Sequence, residues 1–205
     1  MQTNASLLLR TLSEQEVSDI YRAHTIHDFP KSELKPLSSM LKFMKTGDYL
    51  CYGLFENGQL RAYAYFFVNG DILMLDYFAM CRQYRSGGYG SRFLALLKQH
   101  CSRIRAILLE VESPDCAQNE SERAVRDRRV AFYQRSGVQK TQVTSLAFGV
   151  EYDIMYLPCK QGLSDEQVRE ELLAVYRKMI SPEAFEKKLL VRRPEEPRTV
   201  PPAQS

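Results

Sequence analysis

The residues best suited to chemistry fall into two groups. Arg85-Ser86-Gly87-Gly88-Tyr89-Gly90 places three glycines within four positions, after an apolar run and before a segment of helical spacing. Amides in such a turn are free to face a ligand, and beside a helix N-terminus they form a nest for phosphate. Arg85 adds a cation at its rim. The second group is acidic. Glu110 and Glu112 close the apolar run 106–112, and Asp76 interrupts another, Met74-Leu75-Asp76-Tyr77-Phe78. A central parallel strand is normally apolar on both faces, so carboxylates there need either partners or a cleft. Strand alternation sets Leu108, Glu110 and Glu112 on one face and Ile107, Leu109 and Val111 on the other. An ion pair with Arg126, Arg128 or Arg129 stays open for either glutamate beside an acid–base role.

Two other phosphate loops fit poorly. No GKS or GKT is present, so a P-loop is excluded. A dinucleotide fingerprint needs GxGxxG, whereas the spacing here is Gly87-Gly88-x-Gly90. The turn alone would equally suit a tight structural turn or another nucleotide binder.

The elements around these residues can be read from pattern. Residues 5–12 read as a strand, and Ser13-Glu14-Gln15-Glu16 as a capping box for a helix carrying Val17, Ile20, Tyr21 and His24. A loop over 25–36 precedes a short helix around Met40, Leu41 and Met44 that closes near Gly47. Three apolar segments, 49–55, 60–68 and 72–81, are divided by Asn57-Gly58 and Asn69-Gly70, which predicts an antiparallel meander with tight hairpins. Strand, glycine turn, helix (Phe93, Leu94, Leu97, Cys101) and strand 106–112 then make a crossover unit with parallel strands. A capping box at Asn119–Glu122 opens a helix to about Arg135, stopped at Gly137, and strands at 140–147 and 150–157 complete the sheet. The fold class is mixed α/β.

Three units are expected: a domain over 1–160, a helical extension over 161–191 and a Pro-rich disordered tail over 192–205. The extension's apolar stripe (Val168, Leu172, Val175, Met179) must pack on the domain or on a second copy, which would allow a homodimer.

Bulk properties exclude several classes. A net charge of +3, from 28 basic and 25 acidic residues, gives no basis for a nucleic-acid partner. No apolar run reaches the ~18 residues of a membrane span, and Met1-Gln2-Thr3-Asn4 does not start a signal peptide. Five cysteines without a CxxC pair read as reduced core thiols, and three histidines without HxxxH spacing argue against a metal. The expectation is a cytoplasmic protein.

Arg85-x-x-Gly88-x-Gly90 resembles the R/Q-x-x-G-x-G/A motif of the GNAT superfamily of acyl-CoA N-acyltransferases. The order of elements over 5–157 fits as well. Leu109-Glu110-Val111 and Phe132-Tyr133-x-x-x-Gly137 resemble that family's second cofactor-proximal segment. The resemblance implies acetyl-CoA as acyl donor and a primary amine as acceptor, either a small molecule or a protein or peptide amine. It implies that main-chain groups of Met80 and Cys81 hold the pantetheine arm. Amides of Ser86, Gly87, Gly88, Tyr89, Gly90 and Ser91 would hold the pyrophosphate, with Arg85 beside it. Tyr133 would protonate the departing sulfur; its other reading is a core aromatic beside Phe132. Glu110 resembles the general base of ribosomal-protein alanine acetyltransferases, with Glu112 and then Asp76 as further candidates. The chain departs from the family where many relatives carry Asn and Ala, seven and four residues before the tyrosine: here stand Arg126 and Arg129. Residues 113–121 also add length. A binding module that keeps the fold without the chemistry is the alternative, and release of free CoA separates the two. Acceptor contacts are expected in 22–47, in the last two strands and in the C-terminal helices, and Tyr21, His24, His27, Phe29, Tyr152 and Tyr156 could line the site.

Overall fold

The structure, a computed structural model, describes residues 6–193 and 195–198. Among them, eight strands form one mixed sheet in the order β1-β2-β3-β4-β5-β7-β6-β8. The meander is β1 (Leu7–Thr11), β2 (Tyr49–Glu56), β3 (Gln59–Asn69) and β4 (Ile72–Met80), each antiparallel to the next. Asn57 and Gly58 both take positive φ, 52° and 73°, as a type I′ turn requires. The second hairpin lies one residue later than its Asn-Gly pair suggests. Asn69 still pairs with Ile72, so Gly70 and Asp71 are the central residues, and of these only Gly70 has positive φ. That is the II′ pattern, for which glycine at the first central position suffices.

Between β1 and β2 lie α1 (Glu14–Ile20), a π-helical turn (Tyr21–Thr25), α2 (Ile26–Asp28), a 3₁₀ turn (Lys31–Glu33) and α3 (Leu37–Thr46). The Ser13–Glu16 capping box forms in full, and Gly47 ends α3 at φ 79°. The expected loop over 25–36 is therefore largely short helical turns. The crossover runs through α4 (Tyr89–His100) to β5 (Ala106–Glu112), which pairs in parallel with β4. After α5 (Glu120–Arg135), β6 (Gln139–Ala147) and β7 (Val150–Pro158) form a hairpin whose second strand inserts beside β5.

Helices cover both faces. Val17 of α1 and Met40 of α3 share one core with Val168, Leu172 and Val175 of α6 (Asp165–Met179). Phe93 and Leu97 of α4 share the other with Val130 and Tyr133 of α5. The stripe of α6 thus packs on the chain's own sheet. Past α7 (Pro182–Lys188), β8 (Leu189–Arg192) pairs with β6, a strand too short to leave a periodic signal. Arg192, expected to begin the tail, is buried, and its guanidinium grips Glu151 through two bonds of 2.8 and 2.9 Å. Arg198 returns to Asp153 on β7. Residues 194 and 199–205, the rest of the expected tail, lie outside the described residues. No helix among the described residues is long and apolar enough to cross a membrane, and none of their His, Cys, Asp and Glu side chains group as a metal site.

Candidate functional site

The site begins where two parallel strands part. β4 and β5 are paired from Ile72 opposite Ala106 to Leu75 opposite Leu109. Beyond that point β4 continues on β3 as far as Met80, and β5 continues on β7 as far as Glu112. The parting has a local cause. Leu75 opposes Phe66 and Tyr77 opposes Tyr65, so Asp76 is an extra residue in β4. A bulge of this kind bends its strand and interrupts pairing. Asp76, read from sequence as a candidate base, accepts from Lys35 Nζ at 2.6 Å and from the Tyr49 hydroxyl.

At the far end of β4 the main chain meets the glycine turn. Cys81 N–H donates to Arg61 O at 2.9 Å, so it is turned toward β3. By the alternation of antiparallel ladders, Met80 turns its amide and carbonyl away from β3, and the carbonyl accepts from Arg85 Nε at 3.4 Å. The Cys81 carbonyl accepts from Tyr84 N–H at 2.8 Å, so both main-chain groups of Cys81 are engaged within the protein. The turn itself is built from left-handed residues, Ser86 at φ 63° and Gly88 at φ 75°. Gly88 caps α4 without a side-chain bond. The amides of Ser86, Gly88, Tyr89, Gly90 and Ser91 have no acceptor among the described residues, while Gly87 N–H reaches Tyr84 O at 3.3 Å. Free amides at the positive end of a twelve-residue helix suit an anion. Gly90 answers a different need: a Cβ there would stand 3.0 Å from Phe132 of α5 and 3.3 Å from Met80 Sδ. Arg85, at the start of the turn, is held by Asp28 at 2.8 Å.

The catalytic candidates lie around the opening on opposite faces of the sheet. Tyr133 belongs to the core beneath α4 and α5, with Leu109 and Val111. Its hydroxyl has no hydrogen-bond partner among the described residues. Burial pushes its pKa up to about 12, against a smaller pull from Arg129. Glu110 emerges on the other face. Ser145 Oγ of β6 donates to its Oε1 at 2.9 Å, and the Tyr176 hydroxyl of α6 donates to Oε2 at 2.7 Å. Burial raises its pKa above the usual carboxylate range, and these two bonds work in the opposite direction. Glu112 has a different fate. Arg129 Nη1 lies 2.9 Å and Arg126 Nη2 3.3 Å from its oxygens. The two arginines that depart from the family's pattern are thus its ion-pair partners.

Sequence reasoning missed Tyr176, Ser145 and Glu33. Tyr176 belongs to an apolar helical stripe and gives no signal that its hydroxyl meets a carboxylate. Glu33, in the 3₁₀ turn, has its pKa raised by burial and by Glu112. Of the suggested acceptor residues, Tyr152 lies close enough to Glu110 for its proton to be held by that charge as well as by burial. Tyr156 instead bridges Gln139 and Leu163, Tyr21 ties to Lys35 O, and Phe29 packs edge-on against Tyr77.

Comparison with known proteins places this arrangement. No curated protein sequence matches the chain. Among solved structures, the ribosomal-protein-S18-alanine N-acetyltransferase from Escherichia coli is similar over 77% of this chain and 97% of its own, with TM-score 0.55 and 20% identity. A GNAT-family protein from Bacteroides thetaiotaomicron is similar over 80% of this chain and 93% of its own, with TM-score 0.62 and 21% identity. An aminoglycoside 6′-N-acetyltransferase complexed with coenzyme A is similar over 77% of this chain and 99% of its own, with TM-score 0.52 and 12% identity. At these identities the likeness is one of fold. The family profile described as acetyltransferase (GNAT) matches residues 15–137, more than half of the chain. The chain belongs to the acetyltransferase (GNAT) family.

Proposed function

We propose that the protein transfers an acetyl group from acetyl-CoA directly to a primary amine, with Glu110 as general base and Tyr133 as general acid. The observation that carries this reading is the parting of β4 and β5 after Leu75 and Leu109, with Tyr133 on one side of the sheet and Glu110 on the other. Donor and acceptor then approach from opposite faces. The free amides of the glycine turn would take the pyrophosphate, and the main chain of Met80 the pantetheine arm.

A lysine-like amine titrates near about 10.4 and must lose a proton before it can attack. Glu110, half-buried with a raised pKa, is a stronger base than an exposed glutamate once ionised. Glu110 takes the proton that the ammonium must lose, and the neutral nitrogen then bonds to the thioester carbon. The carbon–sulfur bond breaks as the electron pair returns to sulfur, and the second proton on nitrogen leaves to solvent. Tyr133, whose pKa of about 12 keeps it protonated, supplies the proton to the thiolate. Glu112 holds α5 against the end of β5 through its two arginines and takes no proton.

The test is acetyl-CoA turnover, read as free CoA, against butylamine, an alanyl peptide, a lysyl peptide and spermidine. Stimulated CoA release with at least one amine is expected. Tight acetyl-CoA binding without turnover would instead favour a non-catalytic acyl-CoA module.

A further inference from the structure

Glu110 is gripped by residues that the family profile does not reach. The profile ends at residue 137, and both donors to the carboxylate, Ser145 and Tyr176, come after it. Tyr176 is carried by α6, a helix from the C-terminal segment that lies over the acceptor face of the sheet. It shares a buried stripe with Val168, Leu172 and Val175. A phenylalanine would fill that stripe without bringing a hydroxyl into the core. Burying a carboxylate under a tyrosine adds no stability over an apolar pair, because both groups must leave water. The arrangement therefore calls for another reason.

We propose that Tyr176 is a positioning residue for acyl transfer: its hydroxyl, with Ser145 on the second oxygen, holds the Glu110 carboxylate in one orientation for the acceptor amine. The proposal rests on Glu110 being the base. A carboxylate accepts about four hydrogen bonds, so two remain for amine or water. The other polar groups facing Glu110 come from each element around it: Tyr152 on β7, Asp76 on β4, and Lys35 before α3. Lys35 is engaged by Asp76 at 2.6 Å. The Tyr176 hydroxyl is pushed well above the ordinary tyrosine range by burial and by Glu110, so it stays a donor at every working pH.

The experiment titrates the Glu110 carboxyl in the full chain by ¹³C NMR, its resonance assigned by its loss in Glu110→Gln. Removing a donor to the charged form raises the pKa. Tyr176→Phe and Ser145→Ala should each move the midpoint up by about 1 pH unit. The acidic limb of turnover with the best amine of the panel should move with it. The amine's own titration is common to all variants and drops out. Val168→Ala, which loosens the same helix, should lower the melting temperature and leave midpoint and limb in place. An unmoved midpoint in Tyr176→Phe, or an equal shift in Val168→Ala, overturns the proposal. If Tyr176→Phe does not fold, Ser145→Ala decides: an unmoved midpoint there overturns the two-donor clamp. Wild-type turnover in Glu110→Gln would instead remove the base assignment itself. A slow Glu110→Gln beside a Tyr176→Phe that matches wild type at every pH sinks the positioning role alone.

Discussion

The two faces of the opening between β4 and β5 are built on different principles. The face proposed for the donor is made of main chain: left-handed Ser86 and Gly88, the first-turn amides of α4, and Met80. The face proposed for the acceptor is made of side chains drawn from separated parts of the sequence, among them Asp76, Glu110, Ser145, Tyr152 and Tyr176. Main-chain groups read any acyl-CoA alike, so their side chains need only permit the backbone geometry. Side chains that meet an acceptor must be assembled in three dimensions, and each can change without disturbing the turn. On the proposed reading, one face would fix the donor and the other would be free to set the acceptor.

The sharpest way to break this division is Glu110→Gln. At neutral pH an amine that titrates near about 10.4 is neutral in roughly one molecule per few thousand. Without a base, turnover should fall by about 10³-fold at pH 7, and the rate should plateau only at higher pH. A pH–rate profile that matches wild type would remove Glu110 from the mechanism. The same variant has a stability signature. Glu110's folded pKa lies above its unfolded value, so its contribution is greatest below the ordinary carboxylate range and is lost as pH rises through the folded pKa. Relative to wild type, Glu110→Gln should therefore gain stability as pH rises from the ordinary carboxylate range through the raised folded pKa of Glu110, measured by thermal unfolding. Equal pH slopes for the two proteins would count against a raised pKa.

Tyr133→Phe probes the donor face. A free thiol titrates near about 8.5, so a thiolate leaves more readily than an amine gives up its proton. Losing the acid should cost less than losing the base, about 10²-fold in kcat, with acetyl-CoA affinity little changed. The core beneath α5 keeps its shape, since the Tyr133 hydroxyl has no partner among the described residues to lose. Unchanged turnover would make Tyr133 an ordinary core aromatic.

These two positions also show where the sequence could be read. The glycine turn, the Asn57-Gly58 hairpin and the parallel crossover leave local marks, because each depends on backbone conformation that few residue types permit. Glu110 stood out as a charge in an apolar run, but its partners did not. Ser145 and Tyr176 lie 35 and 66 positions away, on a strand and a helix that reach it only through packing. β8 was invisible for a related reason: four residues, Leu189–Arg192, are too few to show alternation. The shift of the second hairpin by one residue came from Asn69, whose turn propensity was overridden by its pairing with Ile72.

A smaller effect comes from the turn. Gly88→Ala puts a side chain at φ 75°, where no atom lies within 4 Å of the new Cβ. The cost is therefore backbone strain alone, about 1–2 kcal/mol. KM for acetyl-CoA should rise several-fold while kcat holds, because the amides are displaced and the acid–base pair is not. Gly90→Ala differs in kind, since its Cβ would press on Phe132 at 3.0 Å and move the helix that carries Tyr133. Its kcat should fall along with its affinity. Steady-state kinetics on both variants checks whether the donor face is divided in this way; identical behaviour would show that it is not.

The smallest effect belongs to Glu112, the carboxylate that sequence alone could not separate from Glu110. They stand two residues apart on one strand, yet hydroxyl donors surround Glu110 while Arg126 and Arg129 surround Glu112. Glu112 and Arg129 retain 31% and 46% of their side-chain exposure, so solvent screens the pair. Glu112→Gln should cost no more than about 1 kcal/mol, with the loss shrinking in high salt. Turnover should stay within a few-fold of wild type, and any decline should appear as a looser α5 instead of a changed pH profile. A shift of the acidic limb in Glu112→Gln, with none in Glu110→Gln, would exchange the roles of the two glutamates. It would place the base at the outer end of β5, among the arginines.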